Sequence, residues 1–165
     1  MAYPRKIRNF NAFVDGIGYA GRVTEGMAPV MKIKGEEHRG AGMDAPVTVD
    51  MGMEALTTSL TFVEYLPALL KMVGTRQSIV LRPAQMGEAD FETDTIIHTC
   101  RGRVMSVDPG TLKAGDETSL KLEMATDYYK LEMNGETLID IDVENGVRII
   151  DGVDQLAGIR AAMGF

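Results

Sequence analysis

Residues 119–152 read SLKLEMATDYYKLEMNGETLIDIDVENGVRIIDG. Leu120, Leu122 and Met124 alternate with Ser119, Lys121 and Glu123, the period-two pattern of a half-buried strand. Tyr129, Leu131 and Met133 alternate again, but on the opposite parity. One extra residue produces such a switch, so a bulge or sharp bend is predicted near Asp127. Asn134-Gly135 follows, and both positions of a type I′ turn need positive φ, which this pair supplies at low steric cost. The register such a turn sets places Leu131 opposite Leu138 and Lys130 opposite Ile139. The return strand carries Ile139, Ile141 and Val143, and Asn145-Gly146 turns the chain into Val147–Ile150. In that register neither face of the hairpin is cleanly apolar. The Leu131 face also carries Glu136 and Asp140, and the other carries Lys130, Glu132 and Asp142. A strand pair mixed on both faces is expected to lie partly between molecules.

Outward from this stretch the pattern stays mainly β. Arg5–Asn9 reads as a short basic arm after Pro4. Asp15-Gly16 is a second two-residue hairpin signal, between Asn11–Val14 and Ile17–Gly21, with Phe13 and Tyr19 as its anchors. Pro29–Lys34 reads as a strand, and His38–Pro46 as a loop with two glycines. Val47, Val49, Met51 and Met53 then alternate with Thr48, Asp50 and Gly52. Thr57–Val63 continues as a strand with Leu56, Leu60 and Phe62 on one face. Pro67–Val73 is the internal helix candidate, its stripe Leu66, Leu69, Leu70 and Val73 closed by Gly74. Ser78–Leu81 and Thr95–Val107 read as strands around an acidic loop, Gly87–Asp94, and Asp108–Glu117 as a loop. Residues 152–163 are expected to form a C-terminal helix, capped by Asp151 or Gly152, striped by Val153, Leu156, Ile159 and Met163, and ended by Gly164. Many strands, two short helices and no strand–helix alternation predict a single mainly β domain over residues 1–165, a small sandwich or barrel with flanking helices.

The 165-residue chain is long enough for one respectable core. Its net charge is −7, unevenly spread. Residues 1–39 hold seven basic and four acidic residues, and the rest holds ten basic and twenty acidic. An acidic body argues against wrapping nucleic acid, which needs clustered Lys and Arg. Cys100 is the only cysteine, so no intrachain disulfide is possible. The N-terminus lacks the apolar run of a signal peptide, and no apolar stretch spans a bilayer, so no membrane anchor is expected.

Catalytic constellations are missing from the pattern. His38 and His98 are the only histidines, and neither has a recognisable partner. There is no G-x-S-x-G elbow, no H-E-x-x-H and no Walker A loop. His98 and Cys100 share a strand face, but one of each is too few for a closed metal site. Asp140, Asp142 and Glu144 have the opening spacing of a calcium loop. Asn145 stands where that loop needs Gly, Asp151 stands where it needs Glu, and Ile141 and Val143 demand strand alternation. Arg39-Gly-Ala-Gly-Met43 lacks the third glycine and following helix of a phosphate loop. No enzyme, cofactor or metal site is expected.

Residues 38–56, HRGAGMDAPVTVDMGMEAL, and residues 128–165, YYKLEMNGETLIDIDVENGVRIIDGVDQLAGIRAAMGF, resemble the major tail tube proteins of contractile-tailed phages, the family that also supplies the tube of R-type bacteriocins. The likeness covers most of the chain in family order and is poor over residues 64–100. It implies a fold related to type VI secretion tube subunits. It implies hexameric rings whose strands join into one inner β-barrel and which stack into a hollow tube, in a phage conducting DNA without binding it specifically. A sheath contracts around that tube and drives it through a target envelope. The implied partners are the chain itself, the tail sheath protein, baseplate tube-initiating proteins and the tape measure protein. The implied location is a virion tail or bacteriocin particle assembled in the host cytoplasm.

Under that resemblance residues 38–53 become a loop and hairpin projecting onto the next ring, with Arg39, Gly40, Gly42, Met43, Val47, Val49 and Met51 as contacts; an ordinary internal strand is the alternative. The arm of residues 1–10 is a second contact candidate. Part of the set Glu132, Glu136, Asp140 and Asp142 is expected to face the lumen, where carboxylates repel phosphates; a solvated outer face is the alternative. A type VI-like secreted tube, or a non-catalytic β-sandwich binding module, remain the rival functions.

Overall fold

The structure is a computed structural model and describes residues 3–165. Its spine is a long hairpin, β8 (Thr93–Asp108) against β9 (Leu120–Met133). The first half of β9 pairs with β6 (Leu56–Phe62), Leu122 opposite Leu60. Its second half pairs with β10 (Glu136–Asp142), which continues into β11 (Val147–Ile150) and β12 (Val153–Asp154). On the other side β8 pairs with β7 (Arg76–Met86), then β1 (Lys6–Val14) and β2 (Ile17–Gly18). β3 (Val23–Met27) pairs with β6 and curls back toward β1. It comes close enough that a Cβ on Gly26 would meet the Phe10 ring at 3.1 Å. No ladder joins β3 to β1. The sheet therefore folds over as an open, sandwich-like layer pair and does not close into a barrel.

Both halves of the spine turn their apolar residues into the fold. Leu120, Leu122, Met124, Val104 and Phe62 are completely buried. The Tyr19 ring meets Phe62 edge-on with centroids 5.4 Å apart. Each such Leu, Val or Phe contributes about 1.5–3 kcal/mol by leaving water. Thr58 and Thr126, also in the interior, satisfy each other through a 2.7 Å hydroxyl pair, as buried polar groups must.

The parity switch in β9 is a bulge at Asp127: Arg101 faces Tyr128, Gly102 faces Thr126, and Asp127 is left over. Its carbonyl is not wasted, for it accepts the Val143 N–H at 2.9 Å. Asn134 and Gly135 have φ of 51° and 82°, the two left-handed residues of a I′ turn. The register beyond the turn is not the one expected. Thr137 pairs with Glu132, but Ile139 pairs with Leu131, so Leu138 is a second bulge, its carbonyl taken by the Asp151 N–H. This slip exchanges the faces of the return strand. Ile139 and Ile141 join Tyr129 and Leu131 on the core side, while Asp140 and Asp142 lie beside Lys130 and Tyr128. The hairpin is amphipathic except at its tip, not mixed on both faces.

Other expectations are corrected in the same way. The strand expected at Pro29–Lys34 lies later, as β4 (Ile33–His38), paired with β5 (Val47–Met53) in a separate two-stranded sheet. Residues 6–10 are the start of β1, bonded to β7, so they are not a free arm; residues 1–2 lie outside the described residues. α1 is only Pro67–Leu70, with Leu69 buried and Leu70 and Val73 exposed. The C-terminal helix begins later than expected, because Val153 pairs with Ile150 as part of β12. α2 spans Ala157–Met163, is ended by Gly164 at φ 82°, and buries none of its residues.

Candidate assembly interface

The β4–β5 hairpin has almost no interior. Among the described residues its strands pair only with each other. Val47, Val49 and Met51 alternate along β5 and are all about half exposed, as is Ile33 on β4. An isolated two-stranded ribbon is marginal in water, and an exposed apolar stripe on it marks a surface meant for a partner. Residues 39–46 close the ribbon. Arg39, Gly40 and Met43 hold one another there: Arg39 Nε donates to the Met43 carbonyl, and the Gly40 N–H donates to Met43 Sδ. Gly42 sits at φ 87°, where a side chain would be strained. At the root, Lys32 and Glu54 pair at 3.2 Å. Arg148 of β11 reaches Asp50 of β5 at 2.5 Å, and this hydrogen bond holds the Asp50 carboxyl below its usual range.

Three of the four acidic residues expected to act together share one face. Asp140 lies opposite Lys130, Asp142 opposite Tyr128, and Glu132 opposite Thr137. Glu136 pairs with Met133 and so belongs to the other face. The shared face is not uniformly negative. Lys130 pairs with Glu132 at 3.2 Å, and Arg101 lies over the Tyr128 ring at 4.2 Å. Asp142 is held below its ordinary carboxylate range chiefly by the Asn145 side chain. Of the four acidic residues only Glu132 has an ion pair within 4 Å among the described residues.

The single chain also presents open ladder edges. β3 and β12 each have one partner, and the outer edge of β1 is paired only at Phe13 and Val14. Such edges invite strand addition from another copy.

The remaining chemical candidates are absorbed by the fold. His98 Nδ1 shares a 2.9 Å hydrogen bond with the Tyr129 hydroxyl. Cys100 is fully buried, and that burial pushes its thiol up to about 11, far from a reactive thiolate. Glu144 is taken by Arg76. Among the described residues no three His, Cys, Asp or Glu side chains come together as a metal cluster. Among the described residues no helix is long and apolar enough to cross a membrane.

The start of β1 is fastened by charge. Arg5 donates to Asp94 at 2.7 Å and pairs with Asp90 and Glu92. Arg5, then Asn134 and Gln85, hold the Asp94 carboxyl down at about 2 from 3.8. A lowered folded-state value stabilises the fold at pH above the unfolded value, and that stabilisation is lost as pH falls through the folded value. Protection factors of the Lys6–Phe10 amides, with the intrinsic pH dependence of exchange divided out, should therefore be high above pH 4 and fall as pH drops toward 2, whereas Asp94→Asn should show low protection throughout. Equal protection of both proteins at pH 6 would show that the arm is held by its ladder alone.

The family model described as Phage tail tube protein FII matches residues 4–164. The tail tube protein of Escherichia phage P2 is 29% identical over 172 aligned residues, covering all of both chains. The major tail tube protein of Serratia phage KSP20 is 32% identical over 155 residues, covering 92% of this chain and 91% of that one.

Proposed function

The chain belongs to the phage tail tube protein FII family, and on that premise we propose that its copies close into hexameric rings, stacked into the inner tube of a contractile phage tail. Like its relatives it is a structural protein of the virion tail and not an enzyme; tail tube proteins self-assemble into tubes. The observation that carries the finer reading is the β4–β5 ribbon, a separate sheet with an apolar stripe and few partners in its own chain. It docks on the next ring through residues 38–53. Within a ring, the open edges of neighbouring copies pair, and closure removes the edges.

The face carrying Glu132, Asp140 and Asp142 lines the lumen, and Glu136 does not. Its charges are interleaved with Lys130 and Arg101, so DNA passes a surface that is neither a strong repellent nor a phosphate trap. Both relatives are phage proteins, which favours a DNA-conducting tail over a DNA-free particle. Sheath, baseplate and tape measure proteins are its partners in assembly.

Negative-stain microscopy of the purified chain across a concentration series tests this reading. Hollow rings or tubes of constant bore are expected. A chain that stays monomeric at every concentration, and also when phage baseplates are added as nuclei, overturns it. The lumen assignment has its own outcome. Asp140→Lys with Asp142→Lys should leave tubes intact while slowing DNA ejection, and unchanged ejection kinetics would place this face elsewhere.

A further inference from the structure

Arg148 breaks the pattern of its strand. It lies opposite Ile141, on the core side of the sheet, and is 5% exposed. A buried guanidinium is tolerated when its donors are met. Here one is: Nη2 reaches Asp50. Nε and Nη1 are buried and have no hydrogen-bond partner. Leaving such donors unmatched costs more than an ordinary hydrogen bond is worth. Arg148 also lines a cavity of about 330 Å³ at the root of the β4–β5 ribbon. Its walls are largely apolar, including Met53, Leu56, Ile141, Val147 and Leu156, and two carboxylates also line it, Glu54, paired with Lys32, and Asp142, bonded to Asn145. With both carboxylates already partnered and two Arg148 donors unmet, the apolar pocket fits a further carboxylate carried on an apolar segment.

We propose that this cavity is the socket for the tip of a second copy's ribbon, with Asp44 of that copy meeting Arg148. The tip reads Met43-Asp44-Ala45-Pro46-Val47, a carboxylate flanked by apolar residues. Asp44 is exposed, and none of the side-chain hydrogen bonds or ion pairs around the loop involves it. The chain's own tip does not reach the socket. β4 is six residues long, which sets tip and root about 20 Å apart while the ladder holds. Donor and acceptor are different surfaces, so each copy offers one tip and one socket. Such a head-to-tail contact propagates from ring to ring without closing on itself. The inference rests on the reading that residues 38–53 dock on the next ring, and it names what receives them.

The test uses the full chain supplied to assembling phage tails. Arg148→Met keeps the bulk and removes the donors; Asp44→Asn removes the partner charge. Each should lower the yield of full-length tubes by about tenfold or more, as truncating a buried charged anchor does. Asp50→Asn frees the intrachain bond but spares Arg148, and should retain tubes. If Asp50→Asn costs as much as Arg148→Met, the arginine serves only to hold its own ribbon and the proposal falls. Should Arg148→Met fail to fold, Asp44→Asn and a disulfide pair still decide. Ala45→Cys with Val143→Cys at the socket rim should give a ladder of covalent multimers from tubes under oxidising conditions, since the native Cys100 is buried. Intact tubes without a ladder overturn the socket. Removing Gly40–Asp44 separates the two levels. If that deletion leaves tubes normal, the docking reading itself fails. If it abolishes tubes while Asp44→Asn and Arg148→Met do nothing, docking stands and the socket is wrong.

Discussion

Gly102→Ala should cost this protein more than about 3 kcal/mol, or roughly 10 °C in Tm for a domain of this size. Gly102 sits in β8 at the Asp127 bulge, facing Thr126. A Cβ built there would fall 1.9 Å from the Ala125 carbonyl oxygen and 2.9 Å from the Thr126 Cα. These are backbone atoms, so no rotamer change relieves the clash. The two strands must part, and they are the spine to which every other strand of the main sheet is directly or indirectly attached. Conformational preference is not the cause, because Gly102 does not have positive φ. Gly158→Ala is the control. It lies in the exposed helix α2 with nothing within 4 Å of the new Cβ, and it should stabilise by about 0.5–1 kcal/mol through helix propensity. Urea unfolding of both proteins checks the pair. A Gly102→Ala midpoint within error of the wild type would mean that the bulge opens without cost.

The bulge itself was legible, and the reason is instructive. Leu120–Met124 and Tyr129–Met133 each alternate cleanly, so the extra residue between them shows as a change of parity. The slip at Leu138 left no such trace. Asn134-Gly135 specifies the turn, but Thr137-Leu138-Ile139 has adjacent apolar residues, and either Leu138 or Ile139 suits a core face. What decides is the payoff beyond: only the slipped register buries Ile141 beside Tyr129 and sends Asp140 and Asp142 out together. A tertiary gain chose the register, and local pattern could not show it. The same holds at the C-terminus. Val153, Ile159 and Met163 have helical spacing, yet Val153 was claimed by Ile150 and the others remain exposed. Spacing reports that a stripe exists and not whether its partner lies in the same chain. Arg148 was invisible for a related reason. Between Val147 and Ile149 it reads as an outward residue of a strand, and only the Leu138 slip and the Asp50 contact place it inside.

Removing Gly40–Asp44 should abolish tubes and leave the subunit's stability almost unchanged. The loop's hydrogen bonds are local: Met43 N–H to the Gly40 carbonyl, Gly40 N–H to Met43 Sδ, and Arg39 to the Met43 carbonyl. None reaches the main sheet, and the loop contributes nothing to the buried core. The last ladder pair, His38 with Val47, would still be joined by Arg39, Ala45 and Pro46, a loop length that hairpins accept. A surface change of this kind shifts stability by no more than about 0.5 kcal/mol. Assembly responds differently. If the ribbon is the contact between rings, every subunit of a ring makes it, and a loss of even about 1.4 kcal/mol per copy, tenfold for one contact, is compounded around the ring. Thermal melts and electron microscopy on the same preparation separate the two effects. An unchanged melt with missing tubes assigns the loop to docking. An unchanged melt with normal tubes returns the ribbon's exposed valines to some other partner. A lowered melt would mean that the loop stabilises its own subunit, and missing tubes would then follow from that loss and not from docking.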